Sequence, residues 1–387
     1  MQHSVTDINN LQILVVIALC LLISPYIAKF FRLPISATEM ILGSVLAYFS
    51  LLPSSELFTL VSSIGFCYLM FMAGMEVNLK SFFSMKTSLA KRSFFYISNL
   101  YILSSLLTYI MGLPYIFIII FPVMSVGLLS ILFKDFGRDC YWLNTSMVVA
   151  TLAEVISIIL LTVVGTVLKQ DINLFELIIN LLYIFSFLAF CLLAFKILRV
   201  LFWWYPQLKN VLMPSEDKNE KDIRLCMSVF MLIIATMFIL KLDLALGSFI
   251  AGSFISTFFS RKQDLDKRLS SFGYGLLIPI FFIHIGSTFD LSLLKEIELI
   301  KNAFFIMFAM LGIRLISVIA FYEKFNLKQS LLFVLSHSMP LTLLVATATL
   351  SYNAKLIDKE LYSALILTAL FEAILVMSLI KVINSKE

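Results

Sequence analysis

Three charged residues stand inside long apolar runs: Glu154 in T-L-A-E-V-I-S, Arg314 in M-L-G-I-R-L-I-S and Glu372 in L-F-E-A-I. On insertion scales a charge at the centre of a membrane-buried helix costs roughly 2.5–3.5 kcal/mol. That cost points to chemistry beyond packing. A carboxylate held half-way along such a helix takes either a proton or a small cation, never both together, and this exclusion is the minimum requirement for exchange. Arg314 stays charged at accessible pH, so it balances charge and carries no proton. The expected ion- and proton-binding group is Glu154 with Ser125 and Ser157, and the metal at Glu154 is the transported cation. Arg314 and Glu372 supply supporting charge. A structural ion pair between Arg314 and Glu154, or between Arg314 and Glu372, is the plainer alternative.

Other polar residues carry weaker signals. Glu39 opens an apolar run, where it complements a helix dipole, and Glu76 closes one. His284 reads as a satisfied core histidine, whereas His337 adjoins a helix break. The sequence holds no nucleotide-binding glycine pattern, no metal-ligand spacing and no Ser/His/Asp set, so neither an enzyme nor a cofactor is expected. The five cysteines show no paired spacing.

The elements that must position these residues follow from composition. Of 387 residues, 61% are hydrophobic and 14% charged, against about 25% charged in soluble domains. Mean hydropathy is +1.00. Apolar runs of roughly 18–25 residues suit a hydrocarbon core ~30 Å thick, and uniform apolarity favours helices over alternating barrel strands. Thirteen spans are expected, over 10–30, 35–50, 57–78, 92–112, 115–133, 141–168, 174–202, 223–240, 244–260, 272–289, 299–321, 329–351 and 359–383. The first lacks a basic flank and a cleavage site and reads as a retained span. With the N-terminus outside and the C-terminus cytoplasmic, most of the 29 Lys and Arg residues fall on the cytoplasmic side, as the positive-inside rule requires. This asymmetry explains the net charge of +5 without a nucleic-acid partner. Trp203, Trp204 and Tyr205 read as an interfacial belt ahead of a polar stretch from Pro214 to Arg224. The run Arg261 to Arg268 reads as a solvated loop.

Two segments echo two others. I-L-G-S-V-L-A-Y-F from Ile41 matches I-A-G-S-F-I-S-T-F from Ile250, and M-A-G-M-E-V-N-L matches H-I-G-S-T-F-D-L. Gly43 lies 209 residues before Gly252, and Gly74 lies 212 before Gly286. Partner spans seven apart run oppositely through the bilayer, the inverted-topology repeat of secondary transporters. The expected organisation is an extra N-terminal helix (1–34), a six-helix repeat (35–208), a cytoplasmic linker (209–222), a second repeat (223–383) and a short tail (384–387). The same register pairs two interrupted spans. The fifth carries Pro122, Ser125 and Gly127; the twelfth carries Ser336, His337, Ser338, Pro340 and Thr342. Proline removes an amide donor and frees a carbonyl, and in a bilayer such breaks persist only against protein or a wet cavity. Simple packing kinks are the alternative.

With L-P-I-S-A-T-E-M-I-L-G from Leu33, F-M-A-G-M-E from Phe71, L-G-S-F-I-A-G-S from Leu246 and I-P-I-F-F-I-H-I-G-S-T-F-D from Ile278, the chain resembles the monovalent cation:proton antiporter-2 family. That family includes bacterial sodium/proton exchangers and the membrane domains of glutathione-regulated potassium-efflux systems. The resemblance implies an all-α fold with two crossed discontinuous helices in a mobile core, a homodimer in the inner membrane, and an ion-binding acid at Glu154. It places the membrane-embedded basic residue at Arg314. The expected function is exchange of Na+ (or Li+) for H+. Exchange of K+ for H+ and ion-coupled carriage of a small organic anion are the alternatives. The family usually has Asp where this chain has Glu154, often preceded by Asp or Asn where it has Ala153. A single carboxylate predicts electroneutral exchange. A short tail is expected in place of the nucleotide-binding regulatory domain of many potassium-efflux relatives.

Overall fold

The computed structural model describes residues 2–31, 33–53, 55–76, 87–129, 132, 140–167, 174–205, 207, 220–240, 244–259 and 263–384. Regular structure among them is entirely helical. The early helices are α1 (Gln2–Phe31), α2 (Ile35–Tyr48), α3 (Glu56–Glu76), α4 (Thr87–Met111), the single turn α5 (Phe117–Ile120), α6 (Tyr141–Val167) and α7 (Leu174–Trp204). Then come α8 (Lys221–Ile239), α9 (Leu244–Phe259), α10 (Gln263–Phe272), a π turn (Gly273–Leu277) and α11 (Ile278–Thr288). The last are α12 (Ile297–Ser317), α13 (Leu327–His337), α14 (Leu341–Asn353), α15 (Lys359–Phe371), a π turn (Glu372–Val376) and α16 (Met377–Asn384). Among the described residues eight helices are long and apolar enough to cross a membrane, and the bent pair α13–α14 makes a ninth; α2 and α9 are shorter apolar helices. Large side chains such as Leu14, Leu22 and Phe30 of α1 are exposed, an apolar surface that suits lipid and not water. The chain is a multi-pass membrane protein.

Two compact units emerge. The first comprises Met1–Ser63, Met85–Leu161 and Pro279–Glu387. Its satellite core gathers Ile13, Ile17 and Cys20 of α1 with Leu52, Phe58, Ile280 and Ile283. The α2–α11 crossing is close because each helix offers a glycine: a Cβ on Gly43 would lie 2.1 Å from the Ile283 carbonyl oxygen, and one on Gly286 2.0 Å from that of Met40. The second unit comprises Ile64–Ser84 and Thr162–Ile278. There α3 meets α9 the same way: a Cβ on Gly252 would lie 1.9 Å from the Phe71 carbonyl oxygen, and one on Gly74 2.0 Å from that of Phe249. Shifting Gly43 and Met40 by 209 residues gives Gly252 and Phe249; shifting Ile283 and Gly286 back by 212 gives Phe71 and Gly74. One contact is thus built twice, in the register of the sequence repeat.

Some boundaries depart from expectation. Helix α4 begins at Thr87, five residues before the expected start. Lys91 and Arg92 end the apolar window without ending the helix; Arg92 pairs with Glu323 and its Nη1 donates to the Ala320 carbonyl at 3.4 Å. The run expected as a solvated loop is helical from Gln263. Leu265 and Leu269, one turn apart, are buried, and Arg268 pairs with Glu220 and Asp222. Dense charge in that run hides the apolar pair from a hydropathy reading. Arg261 and Lys262, most of the expected linker (209–219), the end of the fifth span apart from Leu132, and the tail 385–387 lie outside the described residues. Within the expected linker, Lys221 already opens α8.

Candidate functional site

The candidate site lies in the first unit, where two helices break. After α5 the chain leaves helical geometry at Phe121 and resumes it at Val126. Pro122 cannot donate to the preceding turn, and the hydroxyl of Ser104 on α4 lies 3.1 Å and 3.0 Å from the carbonyls of Phe117 and Ile118. The second break separates α13 from α14 at residues 338–340, with a bend of 40°. Ser338 follows the last turn of α13 and returns its hydroxyl to the Val334 carbonyl at 2.9 Å. Pro340 precedes α14, where a missing N–H costs nothing.

The breaks touch. Ser125 Oγ lies 2.5 Å from Thr342 Oγ1. A Cβ on Gly127 would sit 3.6 Å from Thr342, in ordinary contact. Gly127 is therefore an open step in the turn and not a position forced by crowding.

Glu154 occupies the middle of α6 and is 1% exposed. Its Oε2 accepts a hydrogen bond from Val126 N at 3.2 Å. That amide opens the helical turn after the break, where the first N–H groups have no partner within the helix. The carboxylate thus completes the break and places negative charge where the backbone is positively polarised. Arg314 on α12 is wholly buried, and its Nη2 donates to the Val123 carbonyl at 2.6 Å. The guanidinium therefore faces the carbonyl end of the same break through a backbone contact. Glu372 is also wholly buried, at the start of the second π turn, and neither of its oxygens has a hydrogen-bond partner among the described residues. Ser157, one turn beyond Glu154, meets the Tyr101 hydroxyl at 3.1 Å.

His337 closes α13, and both ring nitrogens are engaged. Nε2 lies 3.1 Å from the Ser146 carbonyl and Nδ1 lies 3.2 Å from the Tyr96 hydroxyl. A carbonyl only accepts, so the proton sits on Nε2 and Tyr96 donates to Nδ1. Ser336 Oγ donates to the Phe333 carbonyl at 2.7 Å and lies 2.9 Å from Ser146 Oγ. His337 thus ties the second break to α4 and α6 and is a satisfied core residue.

Sequence reading missed Tyr96, Tyr101, Ser104 and Ser146. A signal was present. Ser93, Tyr96, Ile97, Leu100, Ser104 and Thr108 recur at helical spacing and form the buried face of α4. Polar residues on one stripe of a membrane helix face protein and not lipid.

Comparison with known proteins places this arrangement in a lineage. Residues 15–383 match the family described as sodium/hydrogen exchanger, transmembrane. The chain is 24% identical over 392 residues to YjbQ of Bacillus subtilis, named as an Na+/H+ antiporter, covering 93% of this chain and 61% of that protein. It therefore spans less than two thirds of that relative's length. It is 25% identical over 264 residues to GerN of Bacillus cereus, named as an Na+/H+-K+ antiporter, covering 65% of each. In three dimensions it matches the sodium proton antiporter MjNhaP1 from Methanocaldococcus jannaschii with a TM-score of 0.67, over 96% of both chains at 17% identity. At that identity the likeness is one of fold. With two broken helices meeting beside a buried carboxylate, and a family match over nearly its whole length, the chain belongs to the sodium/hydrogen exchanger family.

Proposed function

We propose that the protein is a secondary antiporter that exchanges Na+ for H+ one for one, by alternating access. One observation carries the reading: the Glu154 carboxylate is 1% exposed and rests on Val126 N at the break that also holds Ser125 and Thr342. A buried carboxylate beside backbone and hydroxyl oxygens is a hard-ligand site for a small cation, and the same carboxylate holds a proton when the cation leaves. One carboxylate exchanging one charge for another gives no net charge movement. Ser125 and Ser157 belong to the site as flanking hydroxyls, and Arg314 and Glu372 as supporting charge.

Several features support the wider reading. Paired glycine crossings in one register favour the inverted repeat over 35–208 and 223–383, and hence thirteen crossings in a 1 + 6 + 6 arrangement. The lysine and arginine distribution favours an outside N-terminus and a cytoplasmic C-terminus in the cell membrane. Family likeness favours a homodimer. The relatives' names favour Na+, with K+ the second reading because one of them names both ions. An organic-anion carrier needs a basic group open to the arriving anion, and Arg314 is wholly buried with its Nη2 on the Val123 carbonyl.

The test uses the reconstituted protein in liposomes with an acidic lumen and a fluorescent pH dye. Na+, Li+ and K+ are added in turn, with and without a valinomycin clamp. Na+-driven dequenching that is insensitive to the clamp and lost in Glu154→Gln is expected. Unchanged dequenching in Glu154→Gln overturns the site, and no response to any cation overturns antiport in favour of the anion carrier.

A further inference from the structure

Glu372 is a buried carboxyl to which the exchange reaction as proposed gives no proton. It is 0% exposed, and both its oxygens lack a hydrogen-bond partner among the described residues. Arg314, equally buried, has its Nη2 on Val123, while its Nε and Nη1 lack a partner among the described residues. The two side chains interact electrostatically, yet no hydrogen bond joins them. Among the described residues, Arg314 is the charged group that acts on Glu372. Beyond it stand Tyr96 on α4 and, bonded to Tyr96, His337 on α13. On Glu372's own helix, Tyr362 is turned to the Thr288 hydroxyl at 3.1 Å. Glu372 also opens a π turn, a local widening that re-aims a side chain and recurs at functional sites.

Two arrangements satisfy this pair. With Glu372 protonated the carboxyl is neutral, and Arg314 remains on Val123. With Glu372 ionised, the uncompensated buried charge demands a donor, and the free edge of the guanidinium is the one at hand. Turning toward Glu372 draws Arg314 from the Val123 carbonyl, three residues from the amide that holds Glu154.

We propose that Glu372 is a second proton-binding carboxyl, a positioning residue whose ionisation competes with the Val123 carbonyl for Arg314 and so loosens the break that holds Glu154. The step is balanced: one proton leaves Glu372 for water and one ion pair replaces one backbone hydrogen bond. The inference rests on the antiport reading for its effect on transport but not for the titration itself.

The experiment has two readouts on the reconstituted protein: the pH profile of the exchange rate at saturating Na+, and pH-difference infrared spectra of the same membranes without cation. Wild type, Glu372→Gln, Glu372→Asp and Glu154→Gln are compared. A protonated-carboxyl stretch that titrates in wild type and in Glu154→Gln, vanishes in Glu372→Gln and returns shifted in Glu372→Asp is expected. With it, Glu372→Gln flattens one limb of the rate profile. A titrating band and a rate profile both unchanged in Glu372→Gln overturn the proposal. If Glu372→Gln does not fold, Glu372→Asp decides: a shifted band and profile support the proposal, and an unshifted pair refutes it. Absence of cation response in wild type defeats antiport, while the infrared band still reports on Glu372.

Discussion

Arg314 and Glu154 hold one break from opposite ends: the guanidinium donates to the Val123 carbonyl at 2.6 Å, and the carboxylate accepts from the Val126 amide at 3.2 Å. Positive charge meets the carbonyl end and negative charge meets the amide end, as the backbone dipoles require. The two side chains come from α12 and α6, so the gap in one helix is fixed by two others. A cation that binds Glu154 competes with the Val126 amide for the same oxygens. On the proposed reading, ion binding and the geometry of the break are therefore linked.

Competition at one carboxylate has a kinetic signature. The KM for Na+ should rise about tenfold for each unit fall in pH once Glu154 is mostly protonated, as mass action requires when one cation displaces one proton. Dequenching rates across a matrix of pH and Na+ concentrations check this. A slope of two protons per cation would require a second carboxylate at the site.

Removing Arg314 should destabilise the fold as well as transport. Arg314→Ala leaves the buried Val123 carbonyl unpartnered, at about 1–3 kcal/mol, and removes the positive charge that faces Glu372. Pairing Arg314→Met with Glu372→Leu should cost less than the sum of the two single changes, because a buried charge left alone is worse than none. Thermal unfolding in detergent of the two single variants and the double variant measures the difference.

What the sequence made legible was whatever carries a high cost in lipid. Glu154, Arg314 and Glu372 stood out because charge is expensive there, Pro122 and Pro340 because they break a helix, and the glycines because they recur in register. The contacts that join these features were hidden for physical reasons. Val123 and Val126 act through backbone atoms that nearly every residue possesses. Tyr96 meets His337 across 241 positions and Ser336 meets Ser146 across 190, pairings that no local spacing encodes. Ser157 lies one helical turn from Glu154, and its hydroxyl faces Tyr101. The first part of the helix Gln263–Phe272 reads as loop in the sequence because the charges in the run Arg261 to Arg268 mask the buried Leu265 and Leu269.

The hydroxyl pair at the junction of the breaks admits a sharper test. Thr342→Val keeps the shape and deletes the hydroxyl, leaving buried Ser125 to find another partner at a cost of about 1–3 kcal/mol. Ser125→Ala with Thr342→Val removes both partners and should be the milder change in stability. If the hydroxyls also ligate the ion, the double variant should raise the KM for Na+ several-fold while kcat falls little. Flux measured against Na+ concentration separates the two effects.

The glycine crossings make the strongest claim about the fold. A methyl on Gly43, Gly286, Gly74 or Gly252 would come within 1.9–2.1 Å of a backbone carbonyl oxygen. No rotamer change relieves a clash with backbone, so the helices must separate. Overpacking of this kind costs about 1–3 kcal/mol or more. Gly312, mid-way along α12, has nothing within 4 Å of its would-be Cβ, and alanine there gains up to about 1 kcal/mol of helix propensity. Each of the four crossing glycines changed to alanine should lower the unfolding temperature in detergent, while Gly312→Ala leaves it unchanged or raises it. Because Gly43·Ile283 maps onto Gly252·Phe71 in the repeat, Gly43→Ala and Gly252→Ala should lower it by similar amounts. Tolerance of alanine at any one of the four would mean that its crossing is wider than the backbone geometry requires.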